Sequence, residues 1–169
     1  MGRAKSKATG GTPATVALER AGVSYTVRSY THDPGVESYG LEAAQALGVD
    51  PARVFKTLLV DTDSGLGVGV VSVAQSLDLK AVAAALGSKR ATMADPRVAE
   101  RTTGYVVGGI SPIGQKKALP TVVDSSASAY ETILVSGGKR GFDIELAPTD
   151  LVALTGAVLA QISRETRHR

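Results

Sequence analysis

Val54-Phe55-Lys56-Thr57-Leu58-Leu59-Val60 is the stretch on which the reading of this chain turns. Its branched and aromatic side chains and its length predict a strand. Alternate residues of a strand share a face, so Lys56 points the same way as Val54, Leu58 and Val60. An ammonium among apolar neighbours is costly unless it has a partner or a task. A plainer reading keeps it as an edge-strand lysine that blocks aggregation, or as one that snorkels to water. The polar turn Asp61-Thr62-Asp63-Ser64-Gly65 and a second apolar run, Leu66–Val73, follow directly, so the two runs predict a hairpin.

Upstream, Thr12-Pro13 reads as an N-cap with proline at the first helical position, and the helix runs to Arg20 before Gly22 stops it. Val23–Tyr30 predicts a strand, Thr31-His32-Asp33-Pro34-Gly35 a turn, and Glu37–Leu47 a helix. Downstream, Leu79–Leu86 predicts a helix ended by Gly87. Asp95-Pro96 opens another, to about Arg101. Thr103–Val107, Leu119–Asp124, Thr132–Val135 and Phe142–Leu146 predict short strands, and Thr149 caps a final helix through Ile162. Interspersed elements with short turns argue for one α/β domain with a mixed or antiparallel sheet that can curl into a barrel, not a regular βαβ repeat.

At 169 residues, 43% hydrophobic and 21% charged, the composition is that of a soluble globular domain. No apolar run approaches a membrane span, and the basic start MGRAKSKATGG lacks the apolar region of a secretory signal. The absence of cysteine excludes disulfides, thiolate zinc sites and a cysteine nucleophile, and fits a cytoplasmic location. A basic head (residues 1–11) expected to be disordered and a tail (164–169) flank a domain at 12–163. The net charge of +3 belongs to those ends, because residues 8–163 carry 13 basic and 15 acidic side chains. Within the domain the positive charge is local: residues 89–140 hold eight Lys or Arg against four acids. A one-sided basic patch suits a polyanion, though an ordinary solvated surface has the same composition.

Familiar catalytic sets are missing. Of the two histidines, His168 lies in the tail and His32 sits in a turn beside Asp33. Nothing spaces His, Asp or Glu as a metal site does. Gly65, Gly67 and Gly69 alternate along a strand and form no dinucleotide fingerprint, and Ser136-Gly137-Gly138-Lys139-Arg140-Gly141 is no Walker loop. That segment still gathers flexible amides, a hydroxyl and two cations, and reads either as an anion-binding nest or as a plain hairpin turn. Gly108-Gly109-Ile110-Ser111-Pro112 is equally open: an oxyanion or carbonyl clamp, or a tight turn stiffened by Pro112. Lys116 and Lys117 follow it within reach of a phosphate.

Three segments together resemble the YbaK-type Cys-tRNA(Pro)/Cys-tRNA(Cys) deacylases, relatives of the editing domain of bacterial prolyl-tRNA synthetases. They are Val54–Val60, Thr103–Lys117 and Val135–Leu146, with Tyr30–Pro34 and Met93–Pro96 adding to the likeness. The resemblance runs over residues 12–163. It implies an α+β fold with a mostly antiparallel, curved, barrel-like sheet and flanking helices, and no cofactor or metal. It implies the family's lysine at Lys56, a carbonyl-contacting pair at Gly108 and Gly109, and a substrate pocket at Tyr30, Thr57, Ser136, Gly137 and Asp143. The basic residues Lys116, Lys117, Lys139 and Arg140 are then expected to meet tRNA. The implied activity is trans-editing: removal of cysteine from mischarged tRNA(Pro), with water or the substrate's own thiol as nucleophile. The aminoacyl-tRNA acceptor end is the expected partner, with prolyl-tRNA synthetase as a second. An Ala-tRNA(Pro) deacylase and a non-catalytic binder of tRNA or synthetase are the alternatives.

Overall fold

The hairpin forms as its alternation demands. In the computed structural model, which describes residues 11–166, β2 (Phe55–Thr62) and β3 (Gly65–Ser72) pair antiparallel from Phe55↔Ser72 to Thr62↔Gly65. They are the middle of a five-stranded sheet. On the β2 side lies β5 (Ala91–Met93), antiparallel. On the β3 side lie β6 (Thr121–Asp124) and then β9 (Val158–Ala160), both parallel to their neighbours. A second sheet is antiparallel and three-stranded: β1 (Thr26–Ser29), β8 (Phe142–Leu146) and β7 (Ile133–Lys139). Between β4 (Gln75–Leu77) and β10 (Ser163–Glu165) there is a short ribbon. Among the described residues five α-helices flank the sheets: α1 (Pro13–Ala21), α2 (Tyr39–Leu47), α3 (Leu79–Ala85), α4 (Pro96–Thr103) and α5 (Pro148–Thr155).

Alternation along β2 sorts its side chains. Phe55 and Leu59 enter the main core with Val68, Val70 and Val123 of the same sheet, Val135 and Ile144 of the other, and Leu18 of α1. On the opposite face Val60 packs with Val71 and with Val82 of α3. Val54 packs with Ala43 and Ala44 of α2 and with Leu134. Lys56 falls between the two patches of that second face. Helix caps lock the frame: the Thr12 side chain accepts from the Thr15 N–H, and its hydroxyl donates to the Gly137 carbonyl at 2.6 Å.

Several expectations are corrected. The sheets do not close into a barrel; among the described residues the two larger ones share a core but pair through their backbones only at a single bridge, Val54↔Leu134. Thr103–Val107 is no strand. Helix α4 continues to Thr103, whose hydroxyl donates to the Ala99 carbonyl, and Gly104 turns the chain with φ 83°. The apolar content there serves loop packing: Tyr105 is buried and its hydroxyl donates to the Ile113 carbonyl. The final helix begins at Pro148 and ends at Thr155, because Gly156 takes φ 66°, and the chain continues as strands β9 and β10. Strand β10 carries residues 163–165, across the expected boundary of the tail. Ser136–Lys139 belongs to β7, with an irregular register before Lys139, so only Arg140 and Gly141 form a turn and the segment is not a glycine nest. Arg3, Lys5 and Lys7 of the expected head, with Arg167, His168 and Arg169, lie outside the described residues. Among the described residues no helix is long and apolar enough to cross a membrane.

Candidate active site

Strand β2 has an open edge. Strand β5 pairs only with Val60–Thr62, the Ala94 N–H donates to the Leu59 carbonyl at 3.0 Å, and β7 meets β2 only at Val54. Between these points residues 55–58 have no strand partner on that side among the described residues. Backbone groups of an antiparallel strand point to alternate sides. The Val54 carbonyl bonds to Val73 in the β3 direction, and the Leu59 carbonyl bonds outward to Ala94. The main-chain groups of Thr57 and the Phe55 carbonyl therefore face the open edge, while the Phe55 N–H points to Leu134 at the bridge.

A cavity of about 440 Å³ lies along this edge, a volume suited to a small ligand. Its walls come from β2, from the start of α2, from Met93, Ala94 and Pro96, and from the loop at Val107, Gly108 and Ile110. Of the residues implied by the family likeness, Tyr30, Lys56, Thr57, Gly108, Ser136 and Asp143 line it. Gly109 and Gly137 do not.

Lys56 is half-buried and has neither an ion pair nor a hydrogen bond among the described residues. Burial pulls its ammonium below the usual lysine pKa. Thr57 carries a buried hydroxyl with no hydrogen-bond partner among the described residues, a condition proteins seldom leave uncompensated. Asp143 is 6% exposed, and burial pushes its carboxyl up to about 7. It stands opposite Ser136 in the β7–β8 ladder. The Tyr30 hydroxyl is pushed up to about 12, first by burial and then by the Asp143 and Glu42 carboxylates.

The glycine pair divides. The Gly109 N–H donates to the Val106 carbonyl at 2.8 Å and is spent in a turn. Gly108, at φ 89°, donates no hydrogen bond among the described residues and lines the cavity. Of the four expected tRNA contacts, none lines the cavity. Lys139 lies 5.0 Å over the Phe142 ring, and the Arg140 guanidinium bonds the Val107 carbonyl through both Nε and Nη2. Sequence reasoning missed Tyr39. Its ring forms part of the wall and carries Arg140 at 5.0 Å on one side and His32 at 5.6 Å on another. At the start of a short helix nothing in the local pattern marks it. Among the described residues no group of His, Asp and Glu is placed to hold a metal ion.

Comparison with known proteins agrees with this architecture. The family model of the aminoacyl-tRNA editing domain matches residues 33–154, and the chain belongs to that family. It is 46% identical over 121 residues to EbsC of Enterococcus faecalis, named as a candidate Cys-tRNA(Pro)/Cys-tRNA(Cys) deacylase; the match spans 71% of this chain and 74% of EbsC. It is 28% identical over 122 residues to a proline–tRNA ligase of Shouchella clausii, covering 64% of this chain but only 21% of the ligase. Among solved structures, a candidate trans-editing enzyme for prolyl-tRNA synthetase superposes with a TM-score of 0.80 at 27% identity, over 90% of this chain and 95% of that one. The protein APE2540 superposes with a TM-score of 0.81 at 25% identity, over 90% and 99%.

Proposed function

We propose that this protein is a trans-editing deacylase that removes cysteine from mischarged Cys-tRNA(Pro), with Cys-tRNA(Cys) as a second candidate substrate. The observation that carries the reading is Lys56, a cation held without a counter-ion in a cavity with room for a small ligand. Binding of polyanions alone needs only exposed cations. A half-buried, unpaired ammonium is suited instead to charge that develops during a reaction. The likeness to EbsC and to the prolyl-tRNA synthetase editing proteins supports the substrate class.

In this mechanism the acceptor end enters along the open edge of β2. Asp143, when ionised, takes the α-ammonium of the aminoacyl group. Lys56 and the Gly108 N–H hold the ester carbonyl as negative charge gathers on its oxygen. The cysteinyl thiol attacks its own carbonyl carbon: a C–S bond forms, the C–O bond to the ribose breaks, and the thiol proton passes to the leaving ribose oxygen. The products are a thiolactone and free tRNA. Proximity does most of the work in such a ring closure, which suits a site with few catalytic side chains. Lys116, Lys117 and Lys139 are the proposed contacts for tRNA phosphates, and prolyl-tRNA synthetase is the proposed partner that selects the tRNA.

The test is release of labelled amino acid from Cys-tRNA(Pro), Ser-tRNA(Pro) and Ala-tRNA(Pro) by the native protein and by Lys56→Ala. Loss of cysteine alone, abolished in the variant, is expected. Equal loss of serine would replace the thiol by water as nucleophile. Loss of alanine would move the protein to the Ala-tRNA(Pro) branch, and tRNA binding without turnover would leave a binding module.

A further inference from the structure

We infer that Arg140 is a positioning residue that aims the Gly108 amide into the cavity, not a contact for tRNA phosphate; the inference rests on the deacylase reading for its kinetic consequence. The peptide unit joining Val107 to Gly108 is one rigid plane, with the Val107 C=O and the Gly108 N–H pointing in opposite directions. Arg140 fixes that plane from one end. Its Nε and Nη2 donate to the Val107 carbonyl at 2.9 and 2.6 Å, and two charged donors on one oxygen set its direction closely. The Gly108 N–H is thereby directed away from Arg140, and Gly108 lines the cavity. The same pull on the carbonyl strengthens the N–H as a donor.

The clamp has further supports. The Val107 N–H donates to Glu100 Oε2 of α4 at 2.8 Å. Tyr39 stacks its ring under the guanidinium at 5.0 Å. The fit leaves no slack: a Cβ on Gly108 would lie 2.8 Å from Arg140 Nε and 2.9 Å from the Tyr39 ring, and one on Gly109 would lie 2.7 Å from the Lys139 Cα. The guanidinium is thereby anchored by a carbonyl and by an aromatic face together. Lysine cannot copy it, since an ammonium offers no planar fork and stacks less well.

The experiment compares Arg140→Lys, Arg140→Ala, Tyr39→Phe and Tyr39→Leu with the native protein. Steady-state and single-turnover cleavage of Cys-tRNA(Pro) are followed over a range of salt. In parallel, NMR amide exchange is read at Val107 and Gly109, both hydrogen-bonded in this loop. Positioning predicts that Arg140→Lys, with its charge intact, loses kcat about 10- to 100-fold, while KM and its salt dependence stay as in the native protein. Amide exchange at Val107 and Gly109 rises in Arg140→Lys and Tyr39→Leu, and stays as in the native protein in Tyr39→Phe, which keeps the ring. A phosphate contact predicts the reverse: Arg140→Lys keeps kcat, and Arg140→Ala raises KM with a shallower salt slope. That result, or unchanged amide exchange in Arg140→Lys, overturns the inference. If the native protein cleaves no aminoacyl-tRNA and the exchange pattern is still as expected, the deacylase reading falls and the positioning role stands.

Discussion

Two pairs of adjacent glycines, Gly108-Gly109 and Gly137-Gly138, look alike in sequence and differ in what the fold does with them. At the second pair the missing side chains make room. A Cβ on Gly137 would lie 2.6 Å from the Phe142 ring, and one on Gly138 2.8 Å from the Tyr105 ring. Their surroundings are satisfied, with the Gly137 carbonyl bonded to Thr12 and the Gly138 N–H to Ser136 Oγ. At the first pair one amide is spent in a turn and the other is left open on the cavity. A functional wall is recognised by polar groups the fold leaves unspent, and Lys56, Thr57, Asp143 and Gly108 all share that condition.

The sharpest way to break this contrast is to add one methyl group to each pair. Gly108→Ala places a side chain at φ 89° and against Arg140 Nε, so it should lower kcat for deacylation about 100-fold beyond any loss of stability. Gly137→Ala should cost ~1–3 kcal/mol by overpacking, read as a lower Tm, while kcat of the folded fraction stays near native. Equal kinetic losses in the two would erase the distinction.

Asp143 gives the next effect. Its folded-state carboxyl titrates near 7, above the ordinary value near 4. The stability it contributes is fully present below about 4 and is lost as pH rises through about 7. Asp143→Asn stays neutral throughout, so its stability relative to native should grow with pH, reaching ~2–4 kcal/mol at pH 8 and vanishing near pH 4. Denaturant unfolding at several pH values measures this. If the ionised carboxylate holds the α-ammonium, kcat/KM of the native protein should climb through about pH 7, and that of the variant should be low and flat. The smallest effect belongs to Thr57→Val. Removing an unpartnered hydroxyl should leave the unfolding free energy equal or slightly raised, by less than about 1 kcal/mol, while kcat/KM drops about tenfold. An unchanged kcat/KM would take Thr57 out of the substrate contacts.

Sequence made some of this visible and hid the rest for physical reasons. The β2–β3 hairpin and the Thr12-Pro13 and Asp95-Pro96 helix starts were legible because alternation and capping act between near neighbours. The half-buried position of Lys56 was legible for the same reason. The end of α5 was misjudged, because an αL glycine at Gly156 outweighs an apolar run that suits a helix or a buried strand alike. Thr103–Val107 looked like a strand because a loop that buries one aromatic side chain, Tyr105, draws on the same residue types. The bond from Arg140 to the Val107 carbonyl was hidden because it joins residues thirty-three positions apart. The barrel was an expectation about how sheets meet, which no local pattern encodes.

The open edge of β2 has one more consequence. Part of this cavity is bounded by main chain at Phe55 and Thr57, and main chain is the same whatever side chain it carries. Substitution can retune the walls formed by Met93, Tyr39 or Val73 and so alter which ligand fits, but it cannot delete a peptide group. Drift in the surrounding side chains leaves that boundary standing, so long as β5 and β7 stay apart.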